Sequence, residues 1–138
     1  MTLLDKARRV FESDRYAVGL SGIALTAVGT NNAECRLTLG ADHCNARGVA
    51  MGGVLFTMAD FCAAVAANSG CVESDTDLQW VSLDATIHYL CPAAQSATLV
   101  ACCRPLKTGR TTALMQTEIK DLDSSRTVAI VETTMIRI

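Results

Sequence analysis

Apolar residues at Leu3, Leu4, Ala7, Val10 and Phe11 recur with the helical period, with Asp5, Lys6, Arg8, Arg9 and Glu12 between them. This predicts an amphipathic helix at the start of the chain. A Gly-punctuated stretch follows from Gly19 to Val28. Beyond the Thr30-Asn31-Asn32 turn the period changes to two: Cys35, Leu37 and Leu39 face inward, and Glu34, Arg36 and Thr38 outward, which predicts a hairpin. Asp42 to Met51 is polar and irregular and reads as a loop. From Gly52 to Asn68 apolar residues occupy nearly every side, the mark of a helix buried inside the fold, and Gly70 reads as its stop signal. Glu73 to Asp77 reads as a solvated connection. The remainder is rich in Val, Ile, Leu and Thr and predicts strands at Trp80 to Leu90, Ala97 to Leu106, Arg110 to Lys120 and Thr127 to Ile138. Taken in order, these elements imply an α+β fold in which an antiparallel sheet wraps around one long central helix.

Composition narrows the possibilities. At 138 residues the chain fits a single domain spanning 1–138. Half of the residues are hydrophobic, enough to form a core and to exclude intrinsic disorder. A net charge of −2, no run of Lys or Arg and 4% aromatics argue against a nucleic-acid partner. The longest apolar stretch, Val54 to Ala67, is interrupted by Thr57 and Asp60. It falls short of the roughly 20 residues a bilayer requires, so no membrane association is expected. Met1 to Glu12 lacks the continuous apolar core of a signal peptide, and the expected location is cytoplasmic. Seven Cys residues without a CxxC spacing suggest reduced thiols acting as small buried groups, with no metal site.

The polar residues of the central helix carry the candidate chemistry. Gly53, Thr57, Asp60, Ala64 and Asn68 form one stripe, which predicts that this side faces a cleft or a partner. A carboxylate in a buried helix is costly unless it is paired. Asp60 is therefore either satisfied by local backbone and Thr groups or part of a functional site. Gly52-Gly53 stands at the helix entrance. It either shapes a tight turn or leaves unpaired N–H groups open to an anion or a developing oxyanion. His88 on a strand and His43 in a loop lack an adjacent nucleophile, which disfavours a triad hydrolase.

The stretch from Asn45-Ala46-Arg47-Gly48 through Met51-Gly52-Gly53 to Asp60, followed by Ala66-Ala67-Asn68-Ser69, resembles the signature of hot-dog fold thioesterases of the phenylacetate-pathway (PaaI-like) type. Val81-Ser82-Leu83-Asp84 leading to Tyr89-Leu90-Cys91-Pro92-Ala93, and the later Gly109-Arg110, are similar to further motifs of that family. The resemblance implies a hot-dog fold and an acyl-CoA thioesterase acting on a small or medium acyl group. Asp60 would be its general base or nucleophile, Gly53 its carbonyl-polarising amide, Asn45 a side chain orienting substrate or water, and Ser82 an assistant to the water. By period two, Ser82 is expected to share a strand face with Asp84, Thr86 and His88. Met51, Gly52, Thr57, Asn68, Arg47, Gly109 and Arg110 are assigned to substrate binding. Arg47, Lys107 and Arg110 are either phosphate contacts for coenzyme A or solvated charge.

Coenzyme A enters as part of the substrate, and no separate cofactor is implied. Met51 replaces the family's His, and Cys91 replaces an Arg that frequently precedes the Pro. The Met51 departure keeps open a non-catalytic acyl-CoA binding module, and a hot-dog dehydratase or hydratase is a third reading. Gly53 and Asp60 are seven positions apart, about 10 Å along one helix. A composite site in a homodimer is therefore expected, and the family often pairs such dimers into tetramers.

Overall fold

The computed structural model describes residues 1–138. Helix α1 (Leu3–Phe11) opens on a capping box in which Thr2 and Asp5 satisfy each other's backbone N–H. Its Ala7 and Phe11 are buried, whereas Val10, expected on the inner face, is exposed. A π-helical turn at Arg15–Leu20 follows, capped by Asp14, where sequence periodicity predicts no element. Strands β1 (Ala24–Gly29) and β2 (Asn32–Thr38) form the expected hairpin, turning at Asn31 with a left-handed φ of 56°. A short 3-10 turn at Ala41–His43 sits within the predicted loop. Helix α2 (Gly52–Ala67) is followed by a short α3 (Ser69–Glu73), so the chain stays helical past the predicted stop. Strands β3 (Trp80–Tyr89), β4 (Thr98–Thr108), β5 (Thr112–Asp121) and β6 (Thr127–Arg137) lie within a few residues of their predicted bounds.

The strands form one six-stranded antiparallel sheet in the order β1-β2-β4-β5-β6-β3. Helix α2 crosses its inner face and touches every strand. Alternation explains the fit: Cys35, Leu37 and Leu39 in the first half of the sheet, and Met115, Ile119, Val131 and Met135 in the second, are buried under the helix. Small α2 residues such as Ala59, Cys62, Ala63 and Ala66 let the helix approach the sheet closely. The Cys62 thiol fits the space beneath and donates to the Ala33 carbonyl at 3.3 Å. Cys35, Cys62 and Cys103 are thus small buried groups, as expected, but Cys102 is exposed and Cys44, Cys71 and Cys91 are partly so.

Two departures bear on the site. Helix α2 is not enclosed on all sides, because Gly53, Phe56 and Asp60 lie on an open face of the chain. The sheet also ends on β3, whose outer edge has no neighbouring strand and along which Val81 and Leu83 are exposed, continuing to Leu90 just past its end. No helix is long and apolar enough to cross a membrane.

Candidate active site

Three contacts set the frame between α2 and β3. At the start of the helix, Tyr89 Oη donates to the Gly52 carbonyl at 3.3 Å. At its middle, Ser82 Oγ donates to Asp60 Oδ1 at 2.9 Å. At its end, Asn68 Nδ2 donates to the Trp80 carbonyl at 3.0 Å, and Asn68 Oδ1 accepts from the Gln79 and Trp80 N–H groups at 3.0 Å each. Helix and strand therefore run antiparallel along each other, and the strand serves the helix at three separate levels.

The strand does this only because it is not regular. Its pairing with β6 shifts register between Ser82 and Asp84, a β-bulge that reverses the inward phase. Trp80 and Ser82 face the helix before the bulge; Ala85, Ile87 and Tyr89 face it afterwards. The expectation that Ser82 shares a face with Asp84, Thr86 and His88 is therefore incorrect, since strict alternation does not survive the extra residue.

Asp60 is exposed rather than buried, and its only side-chain partner is Ser82. Neither of the local satisfactions considered from the sequence applies, because Thr57 Oγ1 donates instead to the Gly53 carbonyl at 2.8 Å within its own helix. The two glycines differ. A Cβ on Gly53 would meet nothing within 4 Å, whereas one on Gly52 would stand 2.9 Å from Tyr89 Oη. Neither Gly52 nor Gly53 uses its N–H in a hydrogen bond, as expected for the first turn of a helix. The N-cap position is Met51, whose exposed side chain caps nothing while its carbonyl accepts from Val54 and Leu55.

Asn45 shapes the approach to this turn. Its Oδ1 accepts from the Arg47 N–H at 2.9 Å and more weakly from Val49 at 3.4 Å, which folds the loop and leaves its amide nitrogen without a partner. Asn45, Gly52, Leu55, Tyr89, Leu90 and Pro92 are among the residues lining a largely apolar cleft of about 440 Å³. Arg47 is exposed beside it.

Other assignments change. Asn68 is buried with its amide saturated, so it ties the end of α2 to β3 and is not free to bind substrate. Gly109 lies near Ala67 and Trp80, so within one chain the Gly109-Arg110 turn stands at the opposite end of α2 from Gly53. Both His43 ring nitrogens are engaged, Nδ1 by the Gly40 N–H at 2.9 Å and Nε2 with the Ser21 carbonyl at 2.7 Å. The imidazole of this loop is thus used in holding the loop to the segment before β1. Burial pushes the Cys103 thiol up to about 12, a hydrogen bond with Cys35 followed by burial raises Cys62, and burial raises Cys102. None of these thiols lines the cleft, and their raised values oppose a thiolate nucleophile.

Residues 47–128 match the thioesterase superfamily. Among solved structures, the Escherichia coli PaaI protein of the phenylacetic acid degradation operon is 25% identical with a TM-score of 0.85, covering 99% of this chain and 96% of that one. A conserved protein of Pseudomonas aeruginosa is 27% identical with a TM-score of 0.78, covering 89% and 94%. A Streptococcus mutans protein bound to acetyl-CoA shares the fold at 22% identity and a TM-score of 0.77, covering 86% and 90%. A search among curated proteins finds no match. With the superfamily match spanning more than half of the chain and the helix-wrapping sheet shared along its length, the chain belongs to the thioesterase superfamily, as a PaaI-like thioesterase of the hot-dog fold.

Proposed function

We propose that the protein hydrolyses the thioester of a small or medium acyl-CoA at a site shared between two copies of the chain. The observation that carries this reading is the open face of α2, which presents an unbonded Gly53 N–H and a Ser82-held Asp60 carboxylate about two helical turns apart, roughly 10 Å along the axis. Oxyanion donor and base must both lie within about 3 Å of the reacting atoms, so one chain cannot supply both to one carbonyl. A two-fold axis beside Phe56 and Thr57, midway between them, brings Gly53 of one chain opposite the partner's Asp60 and creates both sites at once. The unpaired β3 edge and its exposed apolar residues support this surface as the contact. The same symmetry carries the partner's Gly109-Arg110 turn toward the Asn45–Met51 loop, where Arg110 and Arg47 meet the phosphates of coenzyme A. That the Streptococcus mutans protein of this fold was solved with acetyl-CoA bound is consistent with such a ligand.

In the reaction, Asp60 removes a proton from water as the oxygen attacks the carbonyl carbon. The Gly53 N–H, backed by the helix N-terminus, stabilises the oxyanion. Collapse of the tetrahedral intermediate breaks the C–S bond, and coenzyme A leaves as a thiolate that takes up a proton. Ser82 holds one carboxylate oxygen and leaves the other free to act. Asp60→Asn keeps the shape and removes the base. On a panel of acetyl-, hexanoyl- and phenylacetyl-CoA, kcat is expected to fall by about 10² to 10⁴ with KM little changed. Near wild-type turnover in that variant would make the carboxylate structural. Binding without turnover by the wild type would make the protein an acyl-CoA carrier.

A further inference from the structure

The Tyr89 hydroxyl donates to the Gly52 carbonyl, and that carbonyl belongs to the same peptide group as the Gly53 N–H. A hydrogen bond accepted at one end of an amide polarises the group and strengthens the donor at its other end. It also fixes the plane of the peptide, and with it the direction of the N–H. Gly52 is the residue that permits this, because a Cβ there would fall 2.9 Å from Tyr89 Oη and 3.0 Å from its ring carbon Cζ. The neighbouring Gly53 has open space at its own Cβ position, so the two glycines answer different demands: one admits Tyr89, the other leaves room for a ligand. The β3 bulge turns Tyr89 toward the helix, and the ring lines the same cleft as Asn45 and Gly52.

We propose that Tyr89 is a positioning residue for thioester hydrolysis, which orients and polarises the Gly52–Gly53 peptide so that the Gly53 N–H is a better oxyanion donor. The proposal rests on the reading of Gly53 as that donor. Tyr89→Phe removes the hydroxyl and keeps the ring. Turnover of the best substrate in the acyl-CoA panel falls about tenfold, less than the 10² to 10³ lost when an oxyanion donor is removed outright, while KM stays within about twofold. Thermal unfolding followed by circular dichroism is unchanged.

Infrared spectroscopy separates this role from a packing role and from failure of the underlying reading. In an Asp60→Asn background, the same acyl-CoA, isotope-labelled at its thioester carbonyl, is bound without rapid hydrolysis. Its carbonyl stretch moves to lower frequency on binding, and adding Tyr89→Phe moves it part of the way back. A lowered frequency that Tyr89→Phe leaves in place, with kcat intact, overturns the proposal and spares the Gly53 reading. A stretch that does not change on binding to the Asp60→Asn protein overturns both. Gly52→Ala supplies a second test, since its methyl group displaces the hydroxyl. Its kinetic effect and that of Tyr89→Phe should be clearly less than additive in the double variant, and full additivity counts against the coupling.

Discussion

A shared site makes a quantitative demand on mixtures of defective chains. Gly53→Val places a side chain in space that is empty within the chain but lies where the substrate carbonyl must approach. This lesion is cleaner than Asn45→Ala, which would also remove the Oδ1 that folds the Asn45–Val49 loop. Asp60→Asn removes the base at the other position. At 1.5 Å per residue the two positions are separated by about 10 Å along α2, and the short Asp60 side chain is tethered by Ser82, so neither lesion can be compensated within its own chain. Each variant alone is expected to be nearly inactive. When equal amounts are unfolded and refolded together, random pairing makes about half of the dimers mixed. Each mixed dimer holds one site with both lesions and one with neither, so activity should return to about a quarter of the wild-type value. Thioester loss should be followed by its own absorbance, because the exposed Cys102 would itself react with a thiol reagent. Mass spectrometry of the intact dimers must establish that mixed species are present. If they are and activity stays at the level of the parents, the essential groups come from one chain and the composite site is wrong.

Two further outcomes follow from groups outside the cleft. Asn68→Ala strands the Gln79 and Trp80 N–H groups and the Trp80 carbonyl, and should cost about 2 to 4 kcal/mol in urea unfolding while KM of the folded protein stays unchanged; a raised KM would return Asn68 to the substrate site. Native protein treated with iodoacetamide at mildly alkaline pH should be labelled at Cys102 but not at Cys35, Cys62 or Cys103, as read by peptide mass spectrometry. Burial raises Cys103 from its usual 9.0 to about 12, so the folded state keeps this proton after the unfolded chain has lost it. Its stabilising contribution is full below pH 9.0 and is lost as the pH rises toward about 12, and Cys103→Ala should make the alkaline fall in stability shallower.

Much of the architecture is legible along the chain because amphipathic periods report which side of an element meets the core. Ala7 and Phe11 on α1, the Cys35-Leu37-Leu39 alternation and the four late strands all follow from such local patterns. Gly53 and Asp60 stand out by residue type and place on the helix, Asn45 and Ser82 only through the family resemblance, and the structure places Asp60 and Ser82 in contact. Tyr89 stands in a family-like motif that gives it no role of its own, yet a signal for one exists: Ala85 and Ile87 alternate toward the core, and continuing that phase brings Tyr89 to the helix.

Tertiary structure alone decided where one strand's phase breaks. The inward phase carrying Ser82 and the one carrying Tyr89 are incompatible with a regular strand, and they are reconciled by a bulge set by pairing with β6, which no period within β3 contains. Asn68 lies on the same helical stripe as Asp60, yet the turn into β3 buries one and leaves the other open. Periodicity specifies a face but not what comes to cover it. The elements, their order and the residue types available for thioester chemistry are written locally along the chain, because they depend on neighbours a few positions apart. Only the packing of α2 against a bulged edge strand decided which polar groups are consumed in holding the fold and which remain free to act, because those partners lie far apart in the chain.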